Sequence, residues 1–110
     1  MRFLKFVLLA ISLVYLLPVA LALGAWALGE HPRSWREADW GSSGLLADDR
    51  EGAAIHILSA RTGGLKGALS EHSWIVLRDA GARRFERFDK VGWGSPIRRD
   101  GYPADARWYS

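Results

Sequence analysis

Apolar and polar positions divide this chain at Glu30. From Phe6 to Gly29 run 24 residues without a charged side chain, preceded by Arg2 and Lys5. About 20 such residues cross a bilayer as a helix, and a proline such as Pro18 is tolerated there. Basic side chains ahead of the run favour a cytoplasmic N-terminus, with Arg33 and Arg36 at the far end reducing the bias. The run exceeds the apolar core of a usual secretory signal, so it predicts an uncleaved signal anchor. Ala20-Leu21-Ala22 and Ala25-Trp26-Ala27 are the cleavage candidates of the competing view. In both cases residues 30–110 lie outside the cytoplasm. If the cell is a Gram-negative bacterium, the expected location is the inner membrane, crossed once, with the C-terminal part periplasmic.

Beyond Glu30 the period changes. Ser34 followed by Glu37 has capping-box spacing and predicts a short helix over Trp35–Trp40. Ala53–Ala60 alternates as a first strand, with Ile55, Ile57 and Ser59 on one side and Ala54, His56 and Leu58 on the other. Arg61-Thr62-Gly63-Gly64-Leu65-Lys66-Gly67 is rich in glycine but lacks the Walker spacing. It predicts a tight turn, or a backbone loop lining a site next to His72. Asp48-Asp49-Arg50-Glu51 reads as a solvated loop. Arg98-Arg99-Asp100-Gly101 reads as a turn in a polar C-terminal stretch, and Trp108-Tyr109 read as the start of an element with nothing to pack against.

The strongest signal is a hairpin. His72–Arg78 carries the unbroken apolar row Trp74, Ile75, Val76, Leu77, and the return run is Arg84–Trp93. Gly81, in Asp79-Ala80-Gly81-Ala82, supplies the positive φ of a tight loop. Phe85, Asp89, Val91 and Trp93 share a face, while Phe88 falls on the other, as if a bulge sat near Glu86 or Arg87. A four-residue loop, with Arg78 opposite Arg83, sets Val76 against Phe85, Trp74 against Arg87 and His72 against Asp89. The second pair is a cation–π contact. In the third, a carboxylate fixes an imidazole tautomer and raises its basicity, as a general base requires. A bulge before Asp89 would shift the register by one and break that pair.

These elements predict an α+β chain: a transmembrane helix over 1–29, a juxtamembrane linker with a short helix over 30–52, and a small antiparallel meander of about three strands over 53–110. Trp74, Val76, Phe85, Val91 and Trp93 form the expected core. Ile75 and Leu77 stay exposed unless something covers them, which makes the domain look incomplete.

Composition changes the picture little. With Arg2 and Lys5 set aside, 13 basic and 12 acidic side chains remain, so the positive charge is a targeting feature and no sign of nucleic-acid binding. The chain has no cysteine, which excludes thiol nucleophiles, Cys-based metal sites and disulfide support for a small exported core. His56 on a mostly apolar face reads as a buried histidine. No metal ligand set and no cofactor are expected.

Ala53-Ala-Ile-His-Ile-Leu-Ser-Ala-Arg-Thr-Gly-Gly-Leu-Lys-Gly67, His72-Ser-Trp-Ile-Val76 and Val91-Gly-Trp-Gly94 together resemble an uncharacterised bacterial family, a domain of unknown function in small membrane-anchored proteins. The likeness runs from about Trp35 to Trp108. It implies no established activity, and it implies a second half with a Pro-Asn-Ser-Asn-Thr-Phe-like segment beyond this sequence. More distantly, His72 followed by Asp89 is similar to circularly permuted papain-like domains of the lipid-acyltransferase and cell-wall amidase kind. That likeness implies a histidine base, a polar orienting residue and a later nucleophile.

Two functions follow. One is a membrane-anchored envelope module that binds or scaffolds, its partner an envelope protein or a cell-wall or lipid ligand. The other is a papain-like hydrolase or acyltransferase with His72 as base, Asp89 as orienter and a nucleophile from elsewhere. Ser73 points away from His72 on an extended strand. Ser59, Ser70 and Ser95 are unconstrained.

Overall fold

The computed structural model describes residues 1–46, 52–92, 94 and 96–109. A single N-terminal helix, α1 (Arg2–Leu28), is followed by antiparallel β-structure. α1 has a π-helical turn at Ser12–Leu16, directly before Pro18. Proline lacks the N–H for an i−4 bond and crowds the carbonyl four residues back. The wider turn ahead of it is the local adjustment that keeps the helix continuous. Length and apolarity suffice for α1 to cross a membrane, a test that a signal sequence also passes.

The β-structure has two parts. Strands β2 (Ala54–Arg61), β3 (Glu71–Arg78), β4 (Glu86–Lys90) and β5 (Ile97–Arg99) form a sheet in the order β2-β3-β4-β5. Strands β1 (Asp39–Ser42) and β6 (Ala106–Trp108) pair as a separate ribbon. The three expected strands are therefore joined by three more. The helix expected over Trp35–Trp40 is a single turn in which the Glu37 and Ala38 N–H groups donate to the Ser34 carbonyl. Glu37 caps the Arg33 N–H, not that of Ser34, and Asp39 and Trp40 leave the turn to pair with β6.

The hairpin register differs from the expected one by two residues. Trp74 lies opposite Asp89 and Val76 opposite Arg87, without a bulge between them. The connection runs from Asp79 to Phe85, longer than four residues, and Gly81 adopts φ 76° within it. Because strand side chains alternate with period two, a shift of two leaves every residue on its expected face. Phe85 still packs on the cluster of Ala60, Trp74 and Val76.

One face of the sheet carries Ala60, Trp74, Val76, Arg87 and Asp89, all buried. Residues 100–108 close over it: the Trp74 indole N–H donates to the Ala104 carbonyl at 2.7 Å. Trp108 stacks on both His72 and Trp74, so it is part of the core and not the unpartnered aromatic the sequence suggested. Val91 is half-buried; Trp93 and Asp48–Glu51 lie outside the described residues. The opposite face keeps Ile55 and Ile57 each 74% exposed and Ile75 44% exposed, while Leu77 is half-buried.

The turn between β2 and β3 is a 3-10 turn at Leu65–Ala68, packed against the end of α1. Gly67 is buried there, and a Cβ on it would stand 2.2 Å from the Thr62 carbonyl oxygen. Since backbone cannot yield as a side chain tip can, Gly67→Ala is expected to cost about 1–3 kcal/mol, the usual range for overpacking. Urea denaturation of the variant beside the parent chain checks this.

Candidate functional site

The site is built around Arg87. Its strand position points it into the core face, where it is 0% exposed. An isolated buried guanidinium would carry a prohibitive desolvation cost, so it must be paired. Asp89, two residues on and on the same face, meets it as a fork: Arg87 Nε donates to Oδ2 at 2.7 Å and Nη2 to Oδ1 at 2.9 Å. Nη1 donates to the Pro103 carbonyl at 2.9 Å. The guanidinium carbon lies 3.9 Å from the Trp74 ring centre and 5.4 Å from those of Tyr102 and Trp108. Charge, planar donors and aromatic faces are thus all engaged.

His72 is added to this pair from β3. Its Nε2 donates to Asp89 Oδ1 at 2.7 Å, since an ionised carboxylate only accepts. The imidazole stacks on Trp108 with centroids 4.7 Å apart and planes 3° from parallel. Although the register places Asp89 opposite Trp74, the diagonal neighbour of a cross-strand pair stays within reach of long side chains. His72 and Asp89 are therefore brought together diagonally, as are Trp74 and Arg87.

Burial alone would raise the Asp89 pKa, but hydrogen bonds and charge from Arg87 and His72 outweigh it and hold the carboxyl below its ordinary value. Asp105 is lowered in the same way against its own burial. Ser42 Oγ donates to it at 2.5 Å and the Leu46 N–H at 3.2 Å.

Beside His72 opens a cavity of about 450 Å³, lined among others by Thr62, Lys66, His72, Arg98, Tyr102 and Trp108. The glycine-rich loop before β3 thus borders the space next to His72. Trp108 is backbone-strained at φ 56°, and its buried indole N–H has no partner among the described residues. Such strain is held only where surrounding contacts over-determine it, commonly at functional sites.

The other candidates lie apart. His56 is opposite Val76 and packs near the Phe85 ring, whereas Ala60 is the residue opposite His72. Four residues of strand separate the two histidines, about 13 Å at strand rise. Ser73 faces Ser59 across the ladder, on the far side of the sheet from His72. Ser59 Oγ donates to Glu71, and Ser70 Oγ donates to the Lys66 carbonyl. Ser95 is outside the described residues. Among the described residues no three His, Asp or Glu side chains converge as a metal site.

The family model for proteins of unknown function (DUF3750) matches residues 52–110. The chain belongs to this family. No curated protein and no solved structure matches it. The match to DUF3750 takes in β2 through β6, and with them Arg87, Asp89, His72 and Trp108.

Arg87 was legible only as a cation–π partner of Trp74. An Arg-x-Asp pair on the core-facing parity of a strand was the available signal for its burial. Tyr102 and Trp108 had no local signal, since their role depends on the return of a polar segment over the sheet.

Two outcomes follow for this DUF3750 domain. Arg87→Met leaves a buried carboxylate without its guanidinium, held by His72 alone, and is expected to cost about 3–5 kcal/mol, while Arg87→Met with Asp89→Leu costs much less; guanidinium denaturation of both variants tests the difference. Lowered carboxyl pKa values stabilise the fold above the unfolded-state value, near pH 4, and that stability is lost as pH falls through the folded-state values. Thermal melting across pH 5 to about pH 2 should therefore show a steep decline, flattened in Asp105→Asn.

Proposed function

We propose that this protein is a single-pass envelope module of a bacterium, anchored in the inner membrane by residues 1–29, linked through 30–52, with the domain 53–110 in the periplasm. Its role is to bind or scaffold, and its ligand site is the cavity beside His72. Support for the anchor comes from the length and apolarity of α1 and from Arg2 and Lys5 ahead of it.

Binding is favoured over catalysis by one observation: Asp89 is committed to Arg87. A carboxylate that already holds a bidentate guanidinium has less basicity to lend an imidazole. No serine hydroxyl among the described residues is hydrogen-bonded to His72 in the cavity, and a base activates a nucleophile only within that reach. Aromatic walls with a few convergent polar groups are the ordinary make-up of a ligand site.

The second reading, a papain-like hydrolase or acyltransferase, has the 2.7 Å contact of His72 with Asp89 in its favour. Residues 1–110 hold no cysteine, so on this reading the nucleophile comes from elsewhere or is a hydroxyl of this chain.

Alkaline phosphatase fused after Ser110 is expected to be active, as it is only outside the cytoplasm; an inactive fusion beside an active cytoplasmic reporter would reject the orientation. A fluorophosphonate probe separates the two roles. Binding alone predicts no labelling that depends on His72, and a labelled Ser or Thr lost in His72→Gln would establish the enzymatic role instead.

A further inference from the structure

α1 does not stand free of the domain. Ala22, Leu23, Gly24 and Trp26 are half-buried, whereas most of the helix before them is exposed. The turn Leu65–Ala68 packs on this end of the helix. Ala22 borders a surface pocket with Gly67, Leu69 and Glu71, and a Cβ on Gly67 would lie 3.7 Å from the Trp26 indole nitrogen.

This contact bounds the depth of a spanning α1 from both sides. Glu71 is exposed and charged, and such a side chain is costly in hydrocarbon, so the hydrocarbon ends no farther along the helix than Ala22. Lys5 sets the other limit. Phe6–Ala22 is already at the short end of the range for spanning helices, so the hydrocarbon ends no earlier than Ala22 either. Trp26, one turn beyond, then stands among the headgroups, where indole rings are enriched. The turn Leu65–Ala68 lies at the same boundary. With α1 in place, Leu65 is 64% exposed and Leu69 56% exposed, and the exposed Lys66 lies between them. Two large apolar side chains thus project where hydrocarbon begins, beside a lysine whose stem can lie along it and whose ammonium can reach water.

We propose that the turn between β2 and β3 is a second membrane contact, in which Leu65 and Leu69 insert into the bilayer interface beside α1 and Lys66 extends to the headgroups. The proposal rests on α1 being a membrane anchor. Bilayer, and not a partner chain, is the occupant because the turn continues the lipid-facing surface of the helix it packs on. Thr62, Gly63 and Lys66 line the cavity beside His72, so seating the turn sets one rim of that cavity at headgroup level.

The test uses the full chain in vesicles of phosphatidylethanolamine and phosphatidylglycerol. Single nitroxides are placed at Leu9→Cys, Leu65→Cys, Leu69→Cys and Arg83→Cys, without background because the sequence has no cysteine. Oxygen concentrates in hydrocarbon while a nickel chelate stays in water, so the ratio of their collision rates with the nitroxide reads depth. Leu9 inside the apolar run and Arg83 in the exposed hairpin loop mark the two ends of the scale. Leu65 and Leu69 are expected to give ratios several-fold above that of Arg83 and below that of Leu9, and adding Leu65→Glu should bring the Leu69 ratio down to the Arg83 level. Ratios at both turn positions equal to that of Arg83, with Leu9 still shielded, overturn the proposal and leave the anchor standing. Low access to both relaxants would show a protein surface covering the turn and also overturn it. A water-exposed Leu9 would remove the anchor reading, and the proposal with it.

Discussion

A fully buried arginine governs this small domain. Arg87 cannot sit in the core without Asp89, the Pro103 carbonyl and three aromatic faces around it. Those partners come from β3, from β4 itself and from the C-terminal segment 102–108. Satisfying one guanidinium therefore fixes the β3–β4 register, the return path of residues 100–108 and the place of Trp108. His72 takes its position from the same carboxylate. A purely apolar core of this size would have little to specify which segment closes it. Here the donors of Arg87 do so, at the cost of leaving a charge inside that only intact geometry compensates.

The face parity of the sheet was readable from the sequence because it depends only on alternation. Trp74, Val76, Phe85 and Asp89 fall where alternation puts them, and the His72–Asp89 and Trp74–Arg87 contacts withstand a register displaced by two. The displacement itself was not readable. Loop length was judged from Gly81 and its neighbours, and nothing local shows that Arg83, Arg84 and Phe85 belong to the connection.

The C-terminal segment was opaque for a related reason. Ile97–Arg99 and Ala106–Trp108 are short, carry few apolar residues and become strands only through their partners, β4 for the first and the distant β1 for the second. The Trp35–Trp40 segment shows the reverse error. Ser34 and Glu37 carry a real capping pattern, but Trp40 is drawn away by Tyr102, Trp108 and Tyr109, whose rings surround it. Tertiary contact overrode local preference. The candidate site divides along the same line: its histidine and carboxylate are neighbours on a hairpin, whereas its aromatic walls arrive from the far end of the chain.

The ribbon that joins Asp39 to Trp108 carries a kinetic meaning. It is among the longest loop closures this chain can make, and contacts of such separation form late and slowly. Until residues 100–108 arrive, Arg87 has lost its Pro103 acceptor and two of its three aromatic neighbours, so the sheet alone is a poor folding unit. A chain emerging in order from its N-terminus thus lacks these contacts until residues 100–108 are made. The core locks only when Tyr102, Pro103 and Trp108 reach the hairpin, so the order of packing is tied to the order of synthesis.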